Sequence, residues 1–273
     1  MRDFSVSPFG LIKDIWQTRR LIYNLTKREV VGRYRGSFVG IFWSFLTPIL
    51  LLTVFTFVFG EIFQARWGGR EEAGSLDFAV ALFAGLLIFN FFSECLARAP
   101  NLIIGNANYV KKVVFPLEVL TIVTILAAVF HLAAGYIILL ILMMVSSWQI
   151  SWTMLLTPVV FIPFLVMVLG FTWGLSALGV YLRDIGQLIS PVLTAMMFLS
   201  PIFYPLSSVS EKFIWIYHLN PLTFVIEQMR AVMLQGVQPN WIGLVYYTVI
   251  SVIVGYLGFV IFQKTRKGFA DVL

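Results

Sequence analysis

The chain reads as an all-α membrane protein with six transmembrane helices, and three observations carry that reading. Of its 273 residues, 60% are hydrophobic and only 12% are charged, against roughly 45–50% and about 25% in a soluble domain; mean hydropathy is +0.92. The apolar residues fall in continuous runs of about 20, the length that crosses a ~30 Å hydrocarbon core as a helix, and lack the alternation of a β-barrel. The Lys and Arg residues segregate by loop. The single cysteine, Cys95, excludes a disulfide framework and a cysteine metal site. A net charge of +6 would raise nucleic acid in a soluble protein. Here it concerns the lipid bilayer, and no nucleic-acid partner is expected.

Residues 1–37 precede the first apolar run. Within them, Leu11–Thr26 carries Lys13, Gln17, Arg20 and Asn24 on one helical face, which Lys27 continues just past its end, and Leu11, Ile15, Ile22 and Leu25 on the other, with Ile12 and Trp16 beside them. A basic amphipathic helix of this kind lies flat at the headgroup level, although a plain topology anchor has the same pattern. The six spans are Phe38–Phe59, Leu76–Phe92, Val119–Val145, Leu155–Leu182, Leu188–Tyr204 and Trp241–Phe262, followed by a tail over 263–273. With these boundaries, fifteen Lys and Arg residues lie on one side and four on the other, which puts both termini in the cytoplasm. Five or seven spans would scramble that split. The first apolar run starts too late and is too long for a secretory signal. No repeat or linker divides the chain, so residues 1–273 form one membrane domain.

The loops carry the polar chemistry. Arg98–Glu118 is too long for a tight helix–helix turn. Asn101 is placed to cap a short helix over Leu102–Ile104 that Gly105 stops, and Asn106, Asn108, Lys111 and Lys112 supply polar contacts before Phe115-Pro116 starts the third span. A short helix held between two spans suits the transmission of a push from a cytosolic partner; a solvated loop with a membrane-facing basic pair is the alternative. Arg183-Asp184 is an anchor, a gate or a docking point. On the opposite side, Ser207–Asn240 holds two short apolar pieces, Phe213–Leu219 and Pro221–Leu234, broken at Asn220-Pro221; pieces too short to span point to re-entrant or interfacial helices. Glu227 and Arg230 stand at i, i+3 on the second piece, where such pairs are mostly structural.

Ion-coupled transporters place ionisable residues inside their spans. Spans three to six contain no Asp, Glu, Lys or Arg until their ends, and His131 is the only ionisable side chain deep in a span, either a hydrogen-bonded packing residue or a relay. The chain has no G-x-x-x-x-G-K-[ST] and no G-x-S-x-G, and its acidic and His content offers no metal cluster. Uphill transport by this chain therefore requires a separate subunit to supply the work.

Four blocks resemble the membrane subunits of ABC exporters of the ABC-2 type, in particular those exporting lipid-linked polysaccharides such as O-antigen. They are Arg33-Tyr34-Arg35-Gly36-Ser37 running into Gly40-Ile41-Phe42-Trp43 and Thr47-Pro48; Asn106 through Pro116; Arg183-Asp184-Ile185 with Ser200-Pro201-Ile202-Phe203-Tyr204-Pro205; and Asn220-Pro221-Leu222-Thr223 with Glu227 and Arg230. They run in order from about residue 25 to residue 265. The resemblance implies a homodimer in the bacterial inner membrane with two copies of a separate ABC ATP-binding subunit on the cytosolic face. ATP and Mg would be bound by that partner, and no cofactor by this chain. It implies that Asn106, Asn108, Lys111, Lys112, Phe115 and Pro116 couple to the ATPase, and that Arg183 and Asp184 gate the cytosolic end. The two apolar pieces, with Asn220, Pro221, Glu227 and Arg230, would form the periplasmic gate.

For a polyprenyl-pyrophosphate-linked glycan, Arg33, Tyr34 and Arg35 stand where cations meet the anionic head, though positive-inside anchoring accounts for the arginines equally. Aromatic faces suit sugar rings, which nominates Trp43, Phe45, Phe203 and Tyr204 as channel lining. The rival readings are an ABC-2 exporter of teichoic acid, capsule, a drug or a small lipid, and, from another class, a channel or scaffold or a membrane-embedded glycan or acyl transferase.

Overall fold

The computed structural model describes residues 7–62, 75–111, 115–146 and 150–273. Among the described residues there is no strand, and five helices are long and apolar enough to cross a membrane.

The first helix, α1 (Pro8–Arg33), is capped by the Ser7 side chain, which accepts from the Gly10 amide, with Pro8 in its first turn. It continues two turns past the expected Thr26 end because nothing in Lys27–Val31 breaks it. Ile22 and Leu25 pack on Val119 and Val123. A second apolar stripe, Phe9, Ile12, Trp16 and Tyr23, stays exposed. One face is thus against protein, one is free for lipid, and the basic face remains for water, as an interfacial helix requires.

A 3₁₀ turn (Gly40–Phe42) leads into α2 (Trp43–Phe55), which ends in a π-turn over Thr56–Ile62. This first crossing is the least covered, with 11% of its most apolar stretch buried, whereas for α3 (Ser75–Leu102) the share is 83%. The bundle is therefore built around α3. The apolar run ends at Phe92, but α3 continues to Leu102; 28 residues make a helix of about 42 Å, longer than the ~30 Å core. Its last turns survive because Glu94 and Arg98 find ionic partners, and Pro100 costs little so near a helix end. This corrects the expected cap: Asn101 lies inside α3, and Gly105 sits in a 3₁₀ turn (Ile104–Asn106) that leads into the short helix α4 (Ala107–Val110).

Next come α5 (Glu118–Val145), a 3₁₀ turn (Trp152–Leu156) and α6 (Thr157–Tyr181). The expected fifth span is corrected in length: α7 is Ile185–Phe198, only 14 residues, or about 21 Å, and Leu199–Tyr204 is non-helical. Two short helices do follow, α8 (Ile214–Leu219) and α9 (Pro221–Arg230), separated at Asn220. Asn220 caps α9 through its side-chain oxygen, and its amide nitrogen donates to the Leu199 carbonyl and Ser200 hydroxyl, each at 2.9 Å. Leu222, Val225, Ile226 and Met229 bury α9 in the main core.

The last long helix, α10 (Trp241–Thr265), pairs with α6 through glycines. A Cβ on Gly258 would lie 2.0 Å from the Gly170 carbonyl oxygen, and one on Gly170 would lie 2.4 Å from that of Val254. The tail is folded: α11 (Phe269–Val272) places Phe269 in a second core with Ile103, Leu117, Trp173, Val180 and Phe262. Arg266 pairs with buried Glu118 at 2.6 Å and donates to the Phe115 carbonyl at 2.7 Å.

Candidate functional site

A cavity of about 450 Å³ opens where α1 ends. Helix α1 stops at Arg33, and the chain turns through Gly36 at φ 87°, a left-handed conformation that glycine adopts without strain. The turn brings Arg33 and Tyr34 against the start of α2, where the Trp43 indole donates to the Ser37 hydroxyl at 3.0 Å. Asn90, Ser93, Glu94 and Arg98 of α3 and His131 of α5 complete the polar wall, and Leu51, Leu87 and Leu132 the apolar one.

Arg33 is not a free cation: it is ion-paired with Glu94. Glu94 also takes the His131 ring, with Nδ1 at 2.9 Å from one carboxylate oxygen and 3.0 Å from the other. A carboxylate only accepts, so Nδ1 carries the proton. His131 is thus a hydrogen-bonded wall residue of the cavity. Tyr34 lies edge-on to it with ring centroids 6.1 Å apart, and burial pushes its phenol above the ordinary value, with Arg33 opposing, so it is a donor at neutral pH. Arg35 is exposed beyond the cavity wall.

The second polar region joins α4 to its neighbours. Asn108 and Lys111 are exposed, while Tyr109 stacks on Phe115 at 4.3 Å and its hydroxyl accepts from Arg28 of α1 at 2.9 Å. The Asn106 amide donates to Leu102. Pro116 precedes α5, and Lys112 lies outside the described residues. Arg183 and Asp184 form an exposed turn between α6 and α7. The adjoining residues sit against the end of α3, where a Cβ on Gly179 would meet the Pro100 carbonyl at 2.2 Å.

The four aromatic candidates do not share one surface within the chain. Trp43 borders the cavity, Phe45 packs on the core, and Phe203 is interior, stacked on Phe59 at 5.1 Å and Phe198 at 5.8 Å. Tyr204 lies at the opposite end, its hydroxyl 2.6 Å from that of Tyr217. There too, Arg230 makes more than the expected pair. Glu227 is 3.7 Å away, but the guanidinium, 1% exposed, donates to the carbonyls of Ala81 and Ile202 at 2.9 Å and to that of Pro201.

Residue reading did not foresee the Glu29–Arg98 pair, the Glu94–His131 contact or the Arg266–Glu118 tie. A signal for the first was present: Glu29/Arg33 and Glu94/Arg98 are each i, i+4 pairs of opposite charge.

The sequence profile of ABC-2 type transporters matches residues 20–234, from within α1 to the turn after α9. The chain belongs to the ABC-2 type transporter family. It is 28% identical over 263 residues to the O-antigen export system permease protein RfbA of Myxococcus xanthus, covering 96% of this chain and 98% of the relative. It is 25% identical to an RfbA of Klebsiella pneumoniae over 93% of this chain and 95% of that one. It is also 24% identical to the polysialic acid transport protein KpsM of Escherichia coli, over 88% and 91%. The family match covers the cavity, α4 and the α8–α9 pair together.

Proposed function

We propose that the chain is the membrane-spanning permease subunit of an ATP-driven exporter, which moves a lipid-linked, O-antigen-like polysaccharide from the cytosolic to the outer face of the bacterial inner membrane. The observation that carries this is the end-to-end similarity to permeases named for O-antigen export. The basic end of the bundle, with α1, the cavity and α4, faces the cytosol in this reading, and both termini lie there. Six crossings result when α7 and Leu199–Tyr204 together make a short fifth. The thinly covered first crossing, with Leu50, Val54 and Phe57 exposed, suits a pathway assembled between two copies.

The exposed Asn108 and Lys111, with Asn106, Lys112, Phe115 and Pro116, dock two copies of an ABC ATP-binding subunit, which binds ATP and Mg. Arg183 and Asp184 close the cytosolic end, and α8 and α9 the outer end. The cargo's pyrophosphate meets Arg33, Tyr34 and Arg35; Trp43 and Tyr204 offer ring faces to sugars near the two mouths.

The test is a strain lacking the gene. Surface glycan is lost and lipid-linked glycan accumulates inside; the intact chain restores export, and the Arg33→Ala plus Arg35→Ala variant inserts and assembles but does not. Unchanged surface glycan in the deletion strain would sink the reading. The similarity to KpsM favours a polysialic-acid-like polymer as the second reading, and the chemical identity of the accumulated glycan separates the two.

A further inference from the structure

Four charges lace α1 to α3. Glu29 and Arg33 stand one turn apart on α1, and Glu94 and Arg98 one turn apart on α3, in antiparallel order. Arg98 pairs with Glu29, Arg33 with Glu94, and Arg98 also reaches Glu94 along its own helix at 3.8 Å. His131 approaches Glu94 from α5. Glu94 therefore has three donors around it and its side chain is only 16% exposed, whereas that of Arg33 is 50% exposed. The anion is fixed; the cation it holds faces the cavity. Beyond Arg33 the cavity continues past Tyr34, Ser44 and Asn90 to the apolar wall of Leu51, Leu87 and Leu132. That combination, a half-free guanidinium at a polar mouth above an apolar pocket, fits an anionic amphiphile.

We propose that Glu94, positioned by His131, is an internal stand-in for the diphosphate of the lipid-linked cargo: the head group binds by taking Arg33 from Glu94, and Glu94 recaptures Arg33 when the cargo leaves. This rests on the reading under Proposed function and adds a competitor to its head-group site. Arg bonds phosphate as readily as carboxylate, so a diphosphate oxygen can replace the one carboxylate oxygen that Arg33 Nη1 meets on Glu94. Glu94 keeps a partly desolvated cation satisfied in the empty site. By repelling the incoming anion it also keeps affinity low enough for release.

The experiment measures binding of polyprenyl pyrophosphate, and separately of inorganic pyrophosphate, to the permease–ATPase complex in nanodiscs, together with export in cells. Glu94→Gln is expected to bind the lipid about tenfold more tightly, the effect of freeing one charge-assisted partner, while export slows. Adding Arg33→Ala removes the gain. His131→Gln, which loosens Glu94 without discharging it, moves affinity the same way by a smaller factor and serves if Glu94→Gln fails to assemble. Equal or weaker binding by Glu94→Gln, in a complex whose wild type binds and exports, overturns the exchange alone. A wild type that binds no lipid pyrophosphate and exports no glycan overturns the functional reading and this one with it. Inorganic pyrophosphate binding as tightly as the lipid would make this a soluble-anion site and overturn the head-group assignment.

Discussion

Arg230, at the end of α9, is buried against the non-helical stretch Leu199–Tyr204, and the two facts explain each other. Carbonyls without intrahelical partners are costly in an apolar interior, and Ser200 and Ile202 are fully buried. One guanidinium supplies donors to Pro201, Ile202 and Ala81 at once. Gly85 makes the space, since a Cβ there would lie 2.6 Å from the Arg230 Nη2. Arg230→Met is expected to destabilise the protein by about 3–5 kcal/mol, because it strands buried polar groups and leaves Glu227 unpaired. Arg230→Lys should be intermediate, as an ammonium lacks the planar fork. Melting of purified protein checks both, and an unchanged transition in Arg230→Met would refute the clamp.

Among elements, the α6–α10 pair and α7 diverge most from what hydropathy shows. Packing between helices in lipid depends on close backbone approach at small residues. Gly170 and Gly258 provide it, and the Cβ of any larger residue would meet a carbonyl oxygen that has nowhere to go. Gly258→Leu should therefore cost at least about 3 kcal/mol, the upper range for overpacking. Gly174, one turn from Gly170 on α6, faces open space, and Gly174→Leu should fall within about 0.5 kcal/mol of wild type. Thermal stability of the two variants side by side decides the point; equal losses would mean that the crossing does not rest on Gly258. The G-x-x-x-G spacing of Gly170 and Gly174 was visible in the sequence, yet only one of its two glycines makes the contact.

At the scale of the whole molecule, the segment proposed to dock the ATPase is tied into the bundle by a continuous set of contacts. The route runs from α4 through Tyr109 stacked on Phe115, then through the Phe115 carbonyl to Arg266 and on to Glu118 at the head of α5. The tail is thereby a strut under the segment proposed to dock the ATPase. In the assembled exporter, Lys111→Glu is expected to weaken ATPase docking. Arg266→Ala is expected to leave docking intact and lower cargo moved per ATP by roughly tenfold, the scale of a coupling free energy of one to three kcal/mol. Paired assays of ATP hydrolysis and transport in proteoliposomes measure this, and wild-type coupling in Arg266→Ala would remove the tail from the route.

Residue order alone determined that this is a helical membrane protein with a basic amphipathic start, and it placed most of the crossings within a few residues. Each of these depends on one residue's own transfer energy or on local spacing, quantities a linear chain displays. It also marked Asn220-Pro221 as a break and Arg33 as a cation at a membrane edge. Only the tertiary structure decided that α3 outruns its apolar segment, that α7 is too short to span alone, that Arg33 is already held by Glu94, which His131 also contacts, and that Arg230 serves backbone carbonyls more than Glu227. Those outcomes turn on which polar groups meet across 28 to 149 positions of sequence. In a medium without water a buried charge or an unwound carbonyl is stable only where such a distant partner arrives.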